Sequence, residues 1–103
     1  MEEFLASEFE NELLKDQDGV LIDVRTEEEY ADGHLENSSL INVMDPEFST
    51  KVDSLDKSKN YYVYCRSGQR SAAACHAMKS LGFKGRLVNL AGGILGWNGP
   101  IIK

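Results

Sequence analysis

Positive charge is scarce in this chain of 103 residues: 11 lysines and arginines stand against 17 aspartates and glutamates, a formal net charge of −6. A nucleic-acid surface needs a basic patch or stripe, so that partner class is excluded. Apolar runs are short, none approaching the length of a membrane span, and Met1-Glu2-Glu3-Phe4 is acidic where a signal or transit peptide is basic. Only two cysteines are present, too few for a disulfide framework. Cys65, Cys75 and His76 do not match the spacing of paired metal ligands, so no metal is expected. Repeats, low-complexity tracts and linkers are also missing. Residues 1–103 therefore read as one domain, cytosolic and free of membrane.

What is there alternates between strand-like and helix-like segments. Phe4 and Leu5 form a short first strand, and Ser7 with Glu10 has the capping-box spacing for a helix carrying Phe9, Leu13 and Leu14 on one face. Val20 to Val24 is a continuous apolar run broken only by Asp23, the pattern of a strand covered on both faces. Thr26 and Glu29 repeat the capping-box spacing, and Gly33 closes that helix. Leu40 to Val43 reads as a strand, and Asp45-Pro46 as an N-cap with proline at the first helical position of a segment reaching Leu55. Tyr61 to Tyr64 is a strand, Ser71 to Leu81 a helix ended by Gly82, and Leu87 to Leu90 a last strand. Such alternation with short loops gives an α/β fold with a parallel sheet of about five strands flanked by helices.

The candidate site lies between the Tyr61 strand and the helix that follows. Cys65-Arg66-Ser67-Gly68-Gln69-Arg70-Ser71 places a thiol where free backbone N–H groups and the positive end of a helix dipole favour an anion. Gly68 permits the tight turn that brings successive N–H groups together, and Arg66 and Arg70 add fixed charge. Each of these lowers a cysteine pKa from its free value of about 8.5, so Cys65 is the expected nucleophile and its substrate an anion. A buried core cysteine would need neither the arginines nor the glycine turn.

Other residues admit two readings from sequence. Asp23 and Arg25, at a strand's carboxyl end, are either part of the site's rim or an ordinary ion pair. His34 is either a base or a hydrogen-bonded structural residue. Cys75 sits in the helix after the loop, and the helical rise carries it away from Cys65, which favours packing over a resolving-thiol role. Gly92-Gly93 implies a backbone passing close to something, such as the loop, and Trp97 covers that end of the core.

Three motifs together resemble the rhodanese family. Asp23-Val24-Arg25 with Glu29-Tyr30 and Gly33-His34-Leu35 is similar to its N-terminal signature, Cys65 to Ser71 to its active-site loop, and Leu90, Gly92-Gly93 and Trp97 to its C-terminal motif. The link from Glu36 to Asn42 is longer than the family's usual one and lacks its proline.

The resemblance implies a single rhodanese-like domain that transfers sulfane sulfur from thiosulfate or a persulfide donor to cyanide or a thiol, including a thiol protein such as thioredoxin. It makes Cys65 the nucleophile that carries the sulfur as a persulfide. Arg66, Ser67, Gly68, Gln69 and Arg70 bind the small anionic donor, Asp23, Arg25 and Ser71 support them, and no cofactor is required. Rival readings are a sulfur-relay or binding module for a partner protein, and a phosphatase or arsenate reductase on the same scaffold. Four residues separate Cys65 from Arg70, one fewer than in the related phosphatases, a ring suited to one sulfur atom.

Overall fold

The structure, a computed structural model, describes residues 1–103. Five parallel strands form one sheet in the order β1-β6-β5-β2-β4: β1 Glu2–Phe4, β2 Val20–Asp23, β4 Ser39–Leu40, β5 Tyr61–Tyr64 and β6 Leu87–Leu90. Helices α1 Ala6–Lys15, α2 Glu27–Asp32, α3 Phe48–Asp53 and α4 Gln69–Ser80 supply the connections. No helix is long and apolar enough to cross a membrane.

Side chains on a strand alternate between faces, and β5 shows how this sequence fills both. Tyr61 and Val63 enter a core with Phe48, Val52, Ala74 and Met78 from α3 and α4. Tyr62 and Tyr64 point the other way, toward Phe9 of α1 and toward Val88 and Leu90. Trp97 packs against this second core, its ring edge-on to Phe9 at 6.4 Å. Because β5 is central, its carboxyl end is flanked by β2 and β6, and whatever follows Tyr64 is held from both sides.

Several boundaries differ from those read in the sequence. β1 ends at Phe4, and α1 begins at once with Leu5 as its N-cap and no side-chain cap. Ser7 thus lies inside the helix, because the bond from Phe9 N–H to the Leu5 carbonyl already closes the first turn. The Thr26 capping box forms as expected, Thr26 Oγ1 accepting from Glu29 N–H at 3.2 Å and Glu29 Oε1 accepting from Thr26 N–H at 3.2 Å. Pro46 is not at a first helical position: Asp45 Oδ1 accepts from Glu47 N–H in a turn, and α3 starts at Phe48. The regular part of the fourth strand is Ser39–Leu40, although the next residues stay extended enough for Ile41 and Val43 N–H to bond the Asp23 and Val24 carbonyls.

A small antiparallel pairing of β3 (His34–Leu35) with β7 (Ile101–Ile102) was not foreseen. Gly33, with φ of +150°, precedes it, and a Cβ there would meet Ile101 Cγ2 at 2.8 Å. The Glu36 to Asn42 link is secured by tyrosines. Tyr30 donates its hydroxyl to the Ser38 carbonyl at 2.8 Å, and the Tyr64 hydroxyl accepts from Leu35 N–H at 3.0 Å.

Candidate active site

The loop after β5 is four residues long, because α4 begins at Gln69 rather than at Ser71. Its turn is made by Gly68, the N-cap, at φ of +104°, where an L side chain is strained. Space is also closed there: a Cβ on Gly68 would meet Gly92 N at 3.2 Å and the Leu90 carbonyl at 3.3 Å. Gly93 passes so close that a Cβ would overlap the Arg66 carbonyl. The expected close approach of Gly92-Gly93 is therefore an approach to this loop. Beyond it, Ile94 N–H bonds the Cys65 carbonyl at 2.9 Å and Leu95 N–H the Arg66 carbonyl at 3.2 Å, pinning the loop from its outer side.

With its carbonyls tied outward, the loop turns N–H groups inward. Cys65 Sγ accepts from Gly68 N–H at 3.1 Å and has Ser71 Oγ at 3.3 Å. Burial pushes the thiol up, but hydrogen bonding from Ser71 and the N–H groups of Ser71, Gly68 and Ser67 outweighs it, and Cys65 lies below the ordinary thiol range. Such a sulfur is an anion at lower pH than a free cysteine, inside a cup of donors.

The two loop arginines differ. Arg66 is exposed and forms no ion pair, as are Ser67 and Gln69 on the same rim. Arg70 is engaged: its two terminal nitrogens bond the two oxygens of Glu29 at 2.8 and 2.9 Å. That pairing holds the Glu29 carboxyl down at about 2, the Arg70 hydrogen bonds being the largest cause. Glu29 thus caps α2 and anchors the first turn of α4, joining the two elements across the rim.

Asp23 and Arg25 lie inside the protein, 0% and 5% exposed. Arg25 bonds Asp23 through Nε at 3.0 Å and a terminal nitrogen at 2.7 Å, reaches the Gly33 carbonyl at 2.7 Å, and lies over the Tyr64 ring. The pair fastens the end of β2 to the end of α2, and the Asp23 charge reaches Arg70. His34 stacks on Tyr30 at 3.6 Å and donates Nδ1–H to the Tyr30 carbonyl at 2.8 Å. Cys75 is buried in α4, its thiol pushed up to about 12 by burial.

Asn89 was not singled out by its sequence. It is fully buried on β6, within hydrogen-bond reach of Ser71, Gly68 and Glu3. The available signal was an amide inside the apolar run Leu87-Val88-Asn89-Leu90, where an unpaired polar group is costly.

Comparison with protein-family models matches residues 5–100 to the one described as "Rhodanese-like domain". Among curated proteins, "Putative sulfurtransferase YtwF" of Bacillus subtilis is 42% identical over 85 residues, 82% of this chain and 78% of that protein. A protein named "Sulfurtransferase" of Allochromatium vinosum is 33% identical over 81 residues, 79% of this chain and 73% of its own. Among solved structures, a rhodanese-like domain protein from Staphylococcus aureus superposes with a TM-score of 0.81 at 32% identity, covering 95% of this chain and 92% of that one.

Proposed function

Since the chain belongs to the rhodanese-like domain family, we propose that it is a sulfurtransferase that carries sulfane sulfur on Cys65. The observation that carries this reading is the Cys65 sulfur beneath the N–H groups of the loop, its thiol lowered in spite of burial. The thiolate attacks the outer sulfur of thiosulfate or of a persulfide donor. As the new S–S bond forms, the old one breaks and sulfite or a thiolate leaves with its electron pair. The terminal sulfur of the Cys65 persulfide is then taken by cyanide or a thiol, returning the Cys65 thiolate. Loop N–H groups stabilise negative charge on sulfur throughout, and exposed Arg66 meets an anionic donor. A small thiol or a protein thiol such as thioredoxin serves as acceptor in a cytoplasmic setting, and the cycle needs no cofactor.

The phosphatase alternative is disfavoured by the pairing of Arg70. An arginine that grips phosphate oxygens must offer its fork to them, whereas here Glu29 occupies it. Incubation with thiosulfate should raise the mass of the protein by one sulfur atom. Cyanide should remove that sulfur and yield thiocyanate, and Cys65→Ser protein should never gain it. Efficient hydrolysis of an aryl phosphate with no sulfur on Cys65 would overturn the reading.

A further inference from the structure

The Ser71 hydroxyl stands between two acceptors and has one proton to give. On one side is Cys65 Sγ at 3.3 Å, on the other Asn89 Oδ1 at 2.5 Å. The orientation of the Asn89 amide is not arbitrary. Its nitrogen faces the Gly68 carbonyl at 3.1 Å and a Glu3 carboxylate oxygen at 2.9 Å, both acceptors, so Oδ1 faces Ser71. Asn89 is wholly buried and its Oδ1 has no other donor, whereas Cys65 also receives Gly68 N–H. The Ser71 proton therefore satisfies Asn89, and Ser71 turns a lone pair toward the sulfur.

We propose that Asn89 is a positioning residue that holds the Ser71 proton away from Cys65, disfavouring the free thiolate while sparing the loaded persulfide. This rests on Cys65 being the sulfur carrier. A thiol donates its S–H to that lone pair; a thiolate faces it unless the hydroxyl rotates and leaves Asn89 Oδ1 unpaired. In a persulfide the charge sits one bond further out, within reach of the loop N–H groups, and the conflict is relieved. With the hydroxyl proton on Asn89, the N–H groups of Ser71, Gly68 and Ser67 are the donors left to offset burial at Cys65.

The test follows the pH dependence of Cys65 alkylation by iodoacetamide in a Cys75→Ala background, which needs no sulfur donor. Arg66 and the Glu29-paired Arg70 on the loop and α4, the Asp23–Arg25 pair at the carboxyl end of β2 and Glu3 of β1 are retained in every variant, so differences report Ser71 and Asn89. With Asn89 present, Ser71→Ala should leave the Cys65 pKa level or lower it, since it removes only the lone pair that opposes the thiolate. Asn89→Leu removes Oδ1, while the Gly68 carbonyl keeps Ala72 N–H and exposed Glu3 turns to water. The freed hydroxyl then donates to sulfur, and the pKa should fall by about one unit. Adding Ser71→Ala to Asn89→Leu should reverse that fall. A rise of about one unit on Ser71→Ala alone would place the proton on sulfur already and overturn the proposal, as would a folded Asn89→Leu protein with an unmoved or raised pKa. The Ser71→Ala result decides even if Asn89→Leu does not fold. A Cys65 that titrates as stated but accepts no sulfur would sink the sulfurtransferase reading alone.

Discussion

Cys65 and Cys75 are buried to the same degree, 1% and 0% exposed, and belong to one apolar cluster, yet their thiols are displaced in opposite directions. Burial raises both. Cys75 lies within α4, where each backbone N–H is spent on the carbonyl four residues back, so no hydrogen bond offsets the burial and its thiol rises to about 12. Cys65 precedes the same helix, where the first N–H groups have no partner within it and fold back onto the sulfur. Reactivity at a buried cysteine is thus decided by which donors are unspent, not by depth.

The sharpest way to break that comparison is to exchange the two sulfurs' roles by deletion. Cys65→Ser should lower sulfur transfer from thiosulfate to cyanide by at least about a thousandfold, since an alcohol is scarcely ionised at neutral pH. Cys75→Ala should retain most of the rate. Thiocyanate formation measures both, and a folded Cys75→Ala protein without activity would mean that the α4 thiol takes part after all.

A smaller effect separates charge from N–H geometry at Cys65. Arg66 is the loop's unpaired cation, so Arg66→Ala should lower kcat/KM for thiosulfate about tenfold, the loss of one charge-assisted hydrogen bond, and change an uncharged sulfur donor much less. Added salt should reproduce part of the loss, because an exposed charge is screened. Equal losses with both donors would make Arg66 a shaping residue of the loop.

Local signals in the chain announced the Cys65 side of the comparison and hid its supports. Gly68, the strand before it and the alanine-rich helix after it declare the turn, because each rests on backbone preference within a few residues. The Thr26 and Glu29 spacing likewise declared a cap. That Glu29 also pairs Arg70, 41 positions away, follows from two elements meeting at the rim, which no local spacing encodes. Asn89 is brought to Ser71 by strand order, and β7 reaches β3 only once the chain has closed. Ser7 erred the other way: its capping-box spacing was sound, but the short β1 delivers the chain to the helix two residues early.

The smallest predicted effects compare how the two cysteines' surroundings are held together. Around Cys75 the fold relies on packing, and Cys75→Ala should cost about 1 kcal/mol by leaving a small cavity. Around Cys65 it relies partly on the Glu29–Arg70 pair. Glu29→Gln keeps a capping amide but removes the charge, and should also cost about 1 kcal/mol at neutral pH, the side chains being 28% and 29% exposed and so partly screened. The two losses should part company in acid. Folding depresses the Glu29 carboxyl from its ordinary 4.5 to about 2, so its stabilisation is complete above about 4.5 and fades as pH falls through about 2. Urea denaturation between neutral pH and pH 2 should therefore show the gap between the native protein and Glu29→Gln closing, while the Cys75→Ala gap stays level. A Glu29→Gln gap that also stayed level would mean that packing, not the ion pair, holds the loop against α2.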